Sequence, residues 1–263
     1  MSQRFKYLEN NILEPNLKLV IENEISSIIN VDTKKKFSFF SDVPDLIGDV
    51  DTHEITEKQK NFYNDIKFPN YDDIEDFGSL IDKANKSIFA KMLDDEIPMG
   101  ANLLEAGCGT GQQSIHASRS YANCEVIAID LSLASLSYAK RKTLEYGLTN
   151  IEYLQADILA LEQLGFEKFD VIECSGVLHH MSDPFAGLQK LCEILKTGGL
   201  MRLGLYSKSA REPLDKYRKA GVENIDQLRE LRELYKKSAN FDLQEIAKSS
   251  DFYTLSGLKD LLF

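Results

Sequence analysis

The sequence predicts an α/β fold built on a mainly parallel sheet, and two observations carry that expectation. From residue 101 onward, short apolar runs alternate with helical patterns in the βαβ manner. The first of those runs passes straight into a glycine-rich turn, Gly107-Cys-Gly-Thr-Gly111, that opens a helix. At 263 residues and 43% hydrophobic, the chain has the material for one such domain, which takes about 100–200 residues, plus an extension.

The elements follow in chain order. Residues 1–60 read as an N-terminal extension, in which Leu17-Lys-Leu-Val-Ile-Glu-Asn-Glu-Ile25 fits a strand or a short helix. Phe37-Ser-Phe-Phe-Ser-Asp-Val-Pro44 reads as a short strand entering a proline turn. Residues 61–100 begin with aromatics among acids, Phe62, Tyr63, Phe68, Tyr71 and Phe77. They continue with Leu80, Ile81, Ala84, Ile88, Phe89 and Met92 at helical spacing, a leading helix stopped near Pro98. Residues 101–207 supply the core, with strands expected at Asn102–Ala106, Glu125–Ile129, Ile151–Gln155, Phe169–Cys174 and Leu200–Tyr206. Ser132 suits the N-cap of a helix over Leu133–Tyr146 that Gly147 ends. Asp183-Pro184 caps and opens another, in which Leu188, Leu191 and Leu195 face inward before Gly198-Gly199 stops it. Residues 208–263 read as a helical cap, and the chain ends on apolar residues, Leu261-Leu-Phe263, as a truncated chain would.

Charge and cysteine content exclude several function classes. Forty-two acidic residues against 31 basic leave a net charge of −11, so binding driven by a nucleic-acid backbone, which needs a clustered basic footprint, is not expected. Twelve acidic and three basic residues fall between Asp42 and Asp82, and the mundane reading of that run is a solvated connector. Cys108, Cys124, Cys174 and Cys192 are 16, 50 and 18 residues apart, with no C-x-x-C pair, so neither a zinc site nor a disulfide framework is expected. No run approaches the roughly 18–20 apolar residues of a membrane span, and the N-terminus lacks an apolar signal core. These features predict a cytoplasmic protein with no membrane partner and no bound metal.

The chemistry-bearing motif is Leu103-Leu-Glu-Ala-Gly-Cys-Gly-Thr-Gly111. A dinucleotide fingerprint starting at Gly107 needs glycine at position 112, where this chain has Gln112. The sequence resembles the class I S-adenosylmethionine-dependent methyltransferases over about residues 61–207, with several motifs in the family's order. The resemblance implies a doubly wound, Rossmann-like sheet with the cofactor held by Glu105, Ala106, Gly107, Gly109 and Gly111. It implies that Asp130, 19 residues after Gly111, accepts from both ribose hydroxyls. Asp157 would accept from the adenine amino group, with Leu131 and Ile158 on either side of the ring. Phe169-Asp-Val-Ile-Glu-Cys-Ser-Gly-Val-Leu-His-His matches the fourth-strand motif, and Leu195-Lys-Thr-Gly-Gly-Leu200 matches the turn before the fifth strand. Each element also has a plain structural reading: Glu105 as a strand end, Asp130 as a helix-capping carboxylate, Asp157 as a turn former and the glycines as caps.

Methyl transfer from S-adenosylmethionine proceeds by in-line displacement, so the protein contributes positioning, desolvation and sometimes a general base. His180 and His179 follow the fourth strand, and an imidazole, with a reference pKa of about 6.5, suits that base; the alternative is that either ring only walls the pocket. Cys174 is expected to line the cofactor cleft rather than act as a nucleophile. The segment 61–79 is similar to a lid found before the core in a bacterial subgroup, which would bring Tyr71 or Tyr63 near the methyl group; packing of Tyr71 on the sheet edge is the alternative. Phe39-Phe-Ser-Asp-Val-Pro-Asp-Leu-Ile47 resembles the end of a zinc-ribbon-like module, here necessarily metal-free because no cysteine precedes Cys108. The expected acceptor is a small molecule. RNA or protein methylation, a non-catalytic cofactor-binding assembly module and an NAD-dependent oxidoreductase remain as rivals.

Overall fold

The structure is a computed structural model that describes residues 17–22, 25–30, 36–37, 39–40, 43–46, 95–164, 166 and 168–206, with isolated positions between 227 and 239. The predicted lid and leading helix over 61–94, including Tyr63 and Tyr71, lie outside the described residues, as does most of the predicted helical cap. The chain divides into two units, Met1–Gly204 and Leu205–Phe263. In the second, Gln227, Glu230, Glu233 and Leu234 are helical, where the sequence reads as helical.

The described part of the first unit begins with an antiparallel hairpin of β1 (Leu17–Glu22) and β2 (Ile25–Asn30), extended by β3 (Lys36–Phe37). The strand reading of Leu17–Ile25 therefore prevails over the helical one. A second, two-stranded pair joins β4 (Phe39–Phe40) to β5 (Val43–Pro44). Pro44 does not turn the chain as the sequence suggests but lies inside β5 opposite Phe39. A two-residue strand with a single neighbour in its sheet tolerates the missing N–H.

Five parallel strands form the core: β6 (Asn102–Ala106), β7 (Glu125–Asp130), β8 (Ile151–Gln155), β9 (Phe169–Ser175) and β10 (Leu195–Gly204). Their spatial order is β10-β9-β6-β7-β8, so the chain starts in the middle, winds one way through β7 and β8, then returns to build the other half. That reversal beside β6 is the doubly wound arrangement and creates a crevice beyond the carboxyl ends of β6 and β9. Alternate residues serve opposite faces. Leu104, Ile127, Leu154 and Ile172 pack on one side with Leu161, Leu178 and Leu191. Leu103, Val126, Tyr153 and Val171 pack on the other with Ile115, Leu136 and Ala139. At about 1.5–3 kcal/mol for each fully buried aliphatic side chain, these two layers dominate the stability of the unit.

Among the described residues, three helices flank the sheet: α1 (Gln112–Ser120), α2 (Leu133–Glu145) and α3 (Pro184–Glu193). Ser132 caps α2 by accepting from Ser135 N–H at 3.2 Å, and Gly147 follows its end at φ +69°. Asp183 caps α3 by accepting from Phe185 and Ala186 N–H, each at 3.0 Å. The end of α3 departs from expectation. The helix stops at Glu193, and Leu195 already pairs with Phe169, so Gly198 and Gly199 lie inside β10 rather than terminating the helix. They accommodate the register shift between Leu195 and Leu200, Gly198 at φ +80° and Gly199 where a Cβ would sit 2.9 Å from the Asp170 carbonyl oxygen. At the opposite edge, Leu46 N–H donates to the Gln155 carbonyl at 2.9 Å, so the chain just after β5 covers the rim of β8. No helix among the described residues is long and apolar enough to cross a membrane.

Candidate functional site

The carboxyl ends of four neighbouring strands bring together most of the residues that the sequence singles out. After β6 the chain turns through Gly107, Gly109 and Gly111, all at positive φ. A Cβ on Gly107 would collide with Val177 Cγ2, and one on Gly111 would lie 2.6 Å from Tyr153 Oη. Glycine is thus required by close packing against the loop after β9 and against β8, as well as by backbone conformation. The turn's own amides are engaged within the protein: Gly107 and Cys108 N–H donate to the Ile129 carbonyl at 2.8 and 2.9 Å, Gly109 N–H to Asp130 Oδ2 at 2.8 Å, and Gly111 N–H to the Cys108 carbonyl at 2.9 Å. A pyrophosphate cradle needs such amides directed at the ligand.

Asp130 closes β7 and sits beside that turn. Its Oδ1 accepts from Ser132 N–H at 2.8 Å, so the capping reading of Asp130 describes part of what it does. Together the two amides hold the carboxylate at the end of β7 against the glycine turn. Leu131 is half-buried, and its carbonyl accepts from Gln155 Nε2 at 2.8 Å. Asp157, just past β8, accepts from Leu159 N–H at 2.9 Å through Oδ1, which is the turn-forming role the sequence also allowed. Burial pushes its carboxyl above the usual range, partly offset by that amide. Ile158 is buried beside it at the start of a 3-10 turn, Ile158–Leu164.

After β9 comes a short 3-10 turn, Leu178–His180, with the rings of His179 and His180 4.1 Å apart and inclined by 54°. Both histidines are half-buried. Ala106 and Cys174 are fully buried in the apolar cluster that includes Leu178. Burial pushes the Cys174 thiol up to about 12 and the Cys108 thiol well above its ordinary value, so neither is a thiolate at neutral pH. Among the described residues no group of three or more His, Cys, Asp and Glu is arranged to hold a metal ion.

Glu105 is buried near the end of β6, with Ser114 Oγ on α1 donating to its Oε2. Desolvation, reinforced by the nearby Glu173 and Asp130 carboxylates and opposed by the Ser114 hydroxyl, raises its pKa from an ordinary 4.5 to about 8. Sequence reasoning assigned nothing to Glu173, Arg202 or Ser114. Glu173 stands directly opposite Glu105 in the β6–β9 register and Arg202 directly opposite Glu173 in the β9–β10 register, with Arg202 Nε donating to Glu173 Oε2 at 2.6 Å. The available signal was a glutamate inside the otherwise apolar run Val171-Ile-Glu-Cys174, since a buried charge in a central strand requires a partner.

A family described as a methyltransferase domain matches residues 97–255. A ubiquinone biosynthesis O-methyltransferase of Leptothrix cholodnii is 32% identical over 114 residues, 43% of this chain and 47% of the relative. An (S)-coclaurine N-methyltransferase of Papaver somniferum is 30% identical over 106 residues, 40% of this chain and 30% of the relative. The chain thus spans less than half the length of these curated relatives. Among solved structures, a coclaurine N-methyltransferase bound to N-methylheliamine and SAH is 26% identical, covering 48% of this chain and 34% of that one, with a TM-score of 0.38. Because the family match runs through the glycine turn, every strand end of the site and both histidines, the chain belongs to the class I S-adenosylmethionine-dependent methyltransferases.

Proposed function

We propose that this protein transfers a methyl group from S-adenosylmethionine to a small-molecule acceptor. The observation that carries the reading is the acidic rim of the crevice: Glu105, Asp130 and Asp157 stand at the ends of β6, β7 and β8, beside a glycine turn whose amides are engaged within the protein. Such a site suits a ligand that carries positive charge, a cis-diol and no phosphate. The same amides count against a nicotinamide dinucleotide, and the net charge of −11 counts against an RNA acceptor.

When bound, S-adenosylmethionine supplies a methyl group activated by a positively charged sulfur. Glu105 and Ala106 would face its methionine end, Gly107, Gly109 and Gly111 would let it approach the backbone, and Asp130 would accept from the two ribose hydroxyls. Asp157 would accept from the adenine amino group between Leu131 and Ile158. His180, with His179 beside it, is the candidate general base that takes the acceptor's proton, and an imidazole suits that work near neutral pH. Tyr71 would act from the lid, and Cys174 would serve only as packing behind the site. A small acceptor is in keeping with the ubiquinone-biosynthesis and coclaurine relatives, each of which is matched over less than half its length.

Calorimetric titration with S-adenosylhomocysteine, beside NADH, tests the reading. Micromolar binding of S-adenosylhomocysteine alone, lost in a folded Asp130→Ala variant, is the expected result, and a screen of phenolic and amine acceptors then follows. A folded wild-type protein that binds NADH, or neither ligand, would sink the proposal; cofactor binding without turnover on any acceptor class would favour an assembly module.

A further inference from the structure

Ser114 is the third residue of α1, a position from which a polar side chain commonly reaches back to the N-cap amide. Here that amide is already engaged, Gly111 N–H donating to the Cys108 carbonyl at 2.9 Å, and Ser114 turns instead toward the sheet. Its hydroxyl donates to Glu105 Oε2 and its N–H faces the same carboxyl, so one residue of α1 aims two donors at the end of β6. Ser114 is fully buried, and Glu105 is buried beside it.

The sheet supplies a second hydroxyl on the far side of Ser114. Glu105, Ala128 and Tyr153 are in register across β6, β7 and β8, on the face that α1 and α2 cover. The outer two stand two strand spacings apart, about 9.6 Å, and the alanine between them fills little of that gap. Tyr153 Oη faces the Ser114 hydroxyl and is hydrogen-bonded to Thr143 Oγ1 on α2 at 2.9 Å. Gly111 leaves room for it, since a Cβ there would stand 2.6 Å from Oη. A hydroxyl carries one proton. With the Ser114 proton on Glu105, Ser114 accepts from Tyr153 and Tyr153 accepts from Thr143. Three hydroxyls from α2, β8 and α1 thus run in one direction and end on a carboxyl. All three are buried, where a chain of this kind is strengthened by its apolar surroundings.

We infer that Ser114 is a positioning residue: held by Tyr153, it fixes one oxygen of Glu105 beside the glycine turn and leaves the other to meet the ammonium group at the methionine end of S-adenosylmethionine. A long side chain that is ordered only when its ligand arrives subtracts that ordering from the affinity. The hydroxyl chain makes the ordering part of the fold, so the carboxyl is set before the ligand binds. This inference rests on the assignment of Glu105 to the cofactor site made above.

Two ligands separate this role from a structural one. S-adenosylhomocysteine and 5′-methylthioadenosine share adenine, ribose and a thioether, and only the first carries the amino-acid end. Calorimetry with both is run on the wild type, Ser114→Ala and Tyr153→Phe, each checked for folding by circular dichroism. The wild type should bind S-adenosylhomocysteine the more tightly. Ser114→Ala should lose about tenfold of that affinity while methylthioadenosine changes by less than about twofold. Tyr153→Phe keeps the buried ring and removes the hydroxyl that holds Ser114, and it should lose about threefold, again for S-adenosylhomocysteine alone. A serine that merely stabilised α1 would loosen the turn for both ligands alike. No loss, or an equal loss for the two ligands, in either folded variant overturns the inference; if Ser114→Ala does not fold, Tyr153→Phe decides. A wild type that binds the two ligands equally overturns the inference while the methyltransferase reading stands, and a folded wild type that binds neither overturns both.

Discussion

Replacing Gly111 by alanine should destabilise the protein by about 2–5 kcal/mol, and the amount can be built from the geometry. Gly111 is the N-cap of α1 at φ +79°, ψ 20°, a left-handed conformation that costs an L-residue about 1–2 kcal/mol. The added methyl would also stand 2.6 Å from Tyr153 Oη and 2.9 Å from Ala139 Cβ. Neither neighbour can withdraw easily: Tyr153 is 1% exposed with its hydroxyl 2.9 Å from Thr143 Oγ1, and Ala139 is fully buried on α2. Overpacking of this kind costs about 1–3 kcal/mol. Gly147→Ala is the control, because Gly147 has φ +69° but no atom within 4 Å of the position a Cβ would take. Reduced freedom of the unfolded chain favours both variants alike, so it cancels in the comparison. Urea unfolding followed by circular dichroism, with equal slopes for the two variants, gives the difference directly. Gly111→Ala should be the less stable by about 1–3 kcal/mol, and equal losses at the two positions would refute the argument that the turn is packed against β8 and α2.

Glu105→Gln should alter the pH dependence of stability. The folded state holds a proton that the unfolded state releases, so the stability linked to Glu105 is full below pH 4.5 and is lost as pH rises through about 8. A rise of that size corresponds to roughly 5 kcal/mol at about 1.4 kcal/mol per pH unit, as an upper bound, and parallel wild-type and Glu105→Gln curves from pH 5 to 9 in urea unfolding would count against it. His180→Gln should lower methyl transfer at least about tenfold without weakening S-adenosylhomocysteine binding, and unchanged turnover eliminates the base role. Asp183→Ala removes the acceptor for two amides at the start of α3 and should cost about 1 kcal/mol of stability, with no change in cofactor affinity by calorimetry.

The site's residues were legible in the sequence to different degrees. Glu105, the three glycines, Asp130 and Asp157 follow apolar runs whose ends are marked locally, so their position at the carboxyl edge could be inferred from pattern and from family likeness. Asp130 and Asp157 show why a residue type alone does not decide between roles. Each does accept from a nearby backbone amide, as a cap or turn former would, while the family likeness gives each a role toward the cofactor. The Arg202–Glu173–Glu105 row was not legible, because it exists only when β6, β9 and β10 are aligned, and its members lie far apart in the chain.

By itself, then, the sequence determined the features that depend on contacts within a few residues. The apolar runs of β6 and β8, the Ser132 cap and Gly147 end of α2, and the Asp183-Pro184 start of α3 all reflect local hydrogen bonding and backbone freedom. Tertiary structure decided the rest. Strand order placed β6 at the centre, register set Glu105 beside Glu173, and pairing of Leu195 with Phe169 drew Gly198-Gly199 out of a helix end and into a strand. Likewise Leu17–Ile25, ambiguous by pattern, became the strands of a hairpin by pairing with residues that follow it. In each case the deciding partner is a backbone or side chain remote in sequence, and burial between two apolar layers makes that pairing the one of lowest free energy.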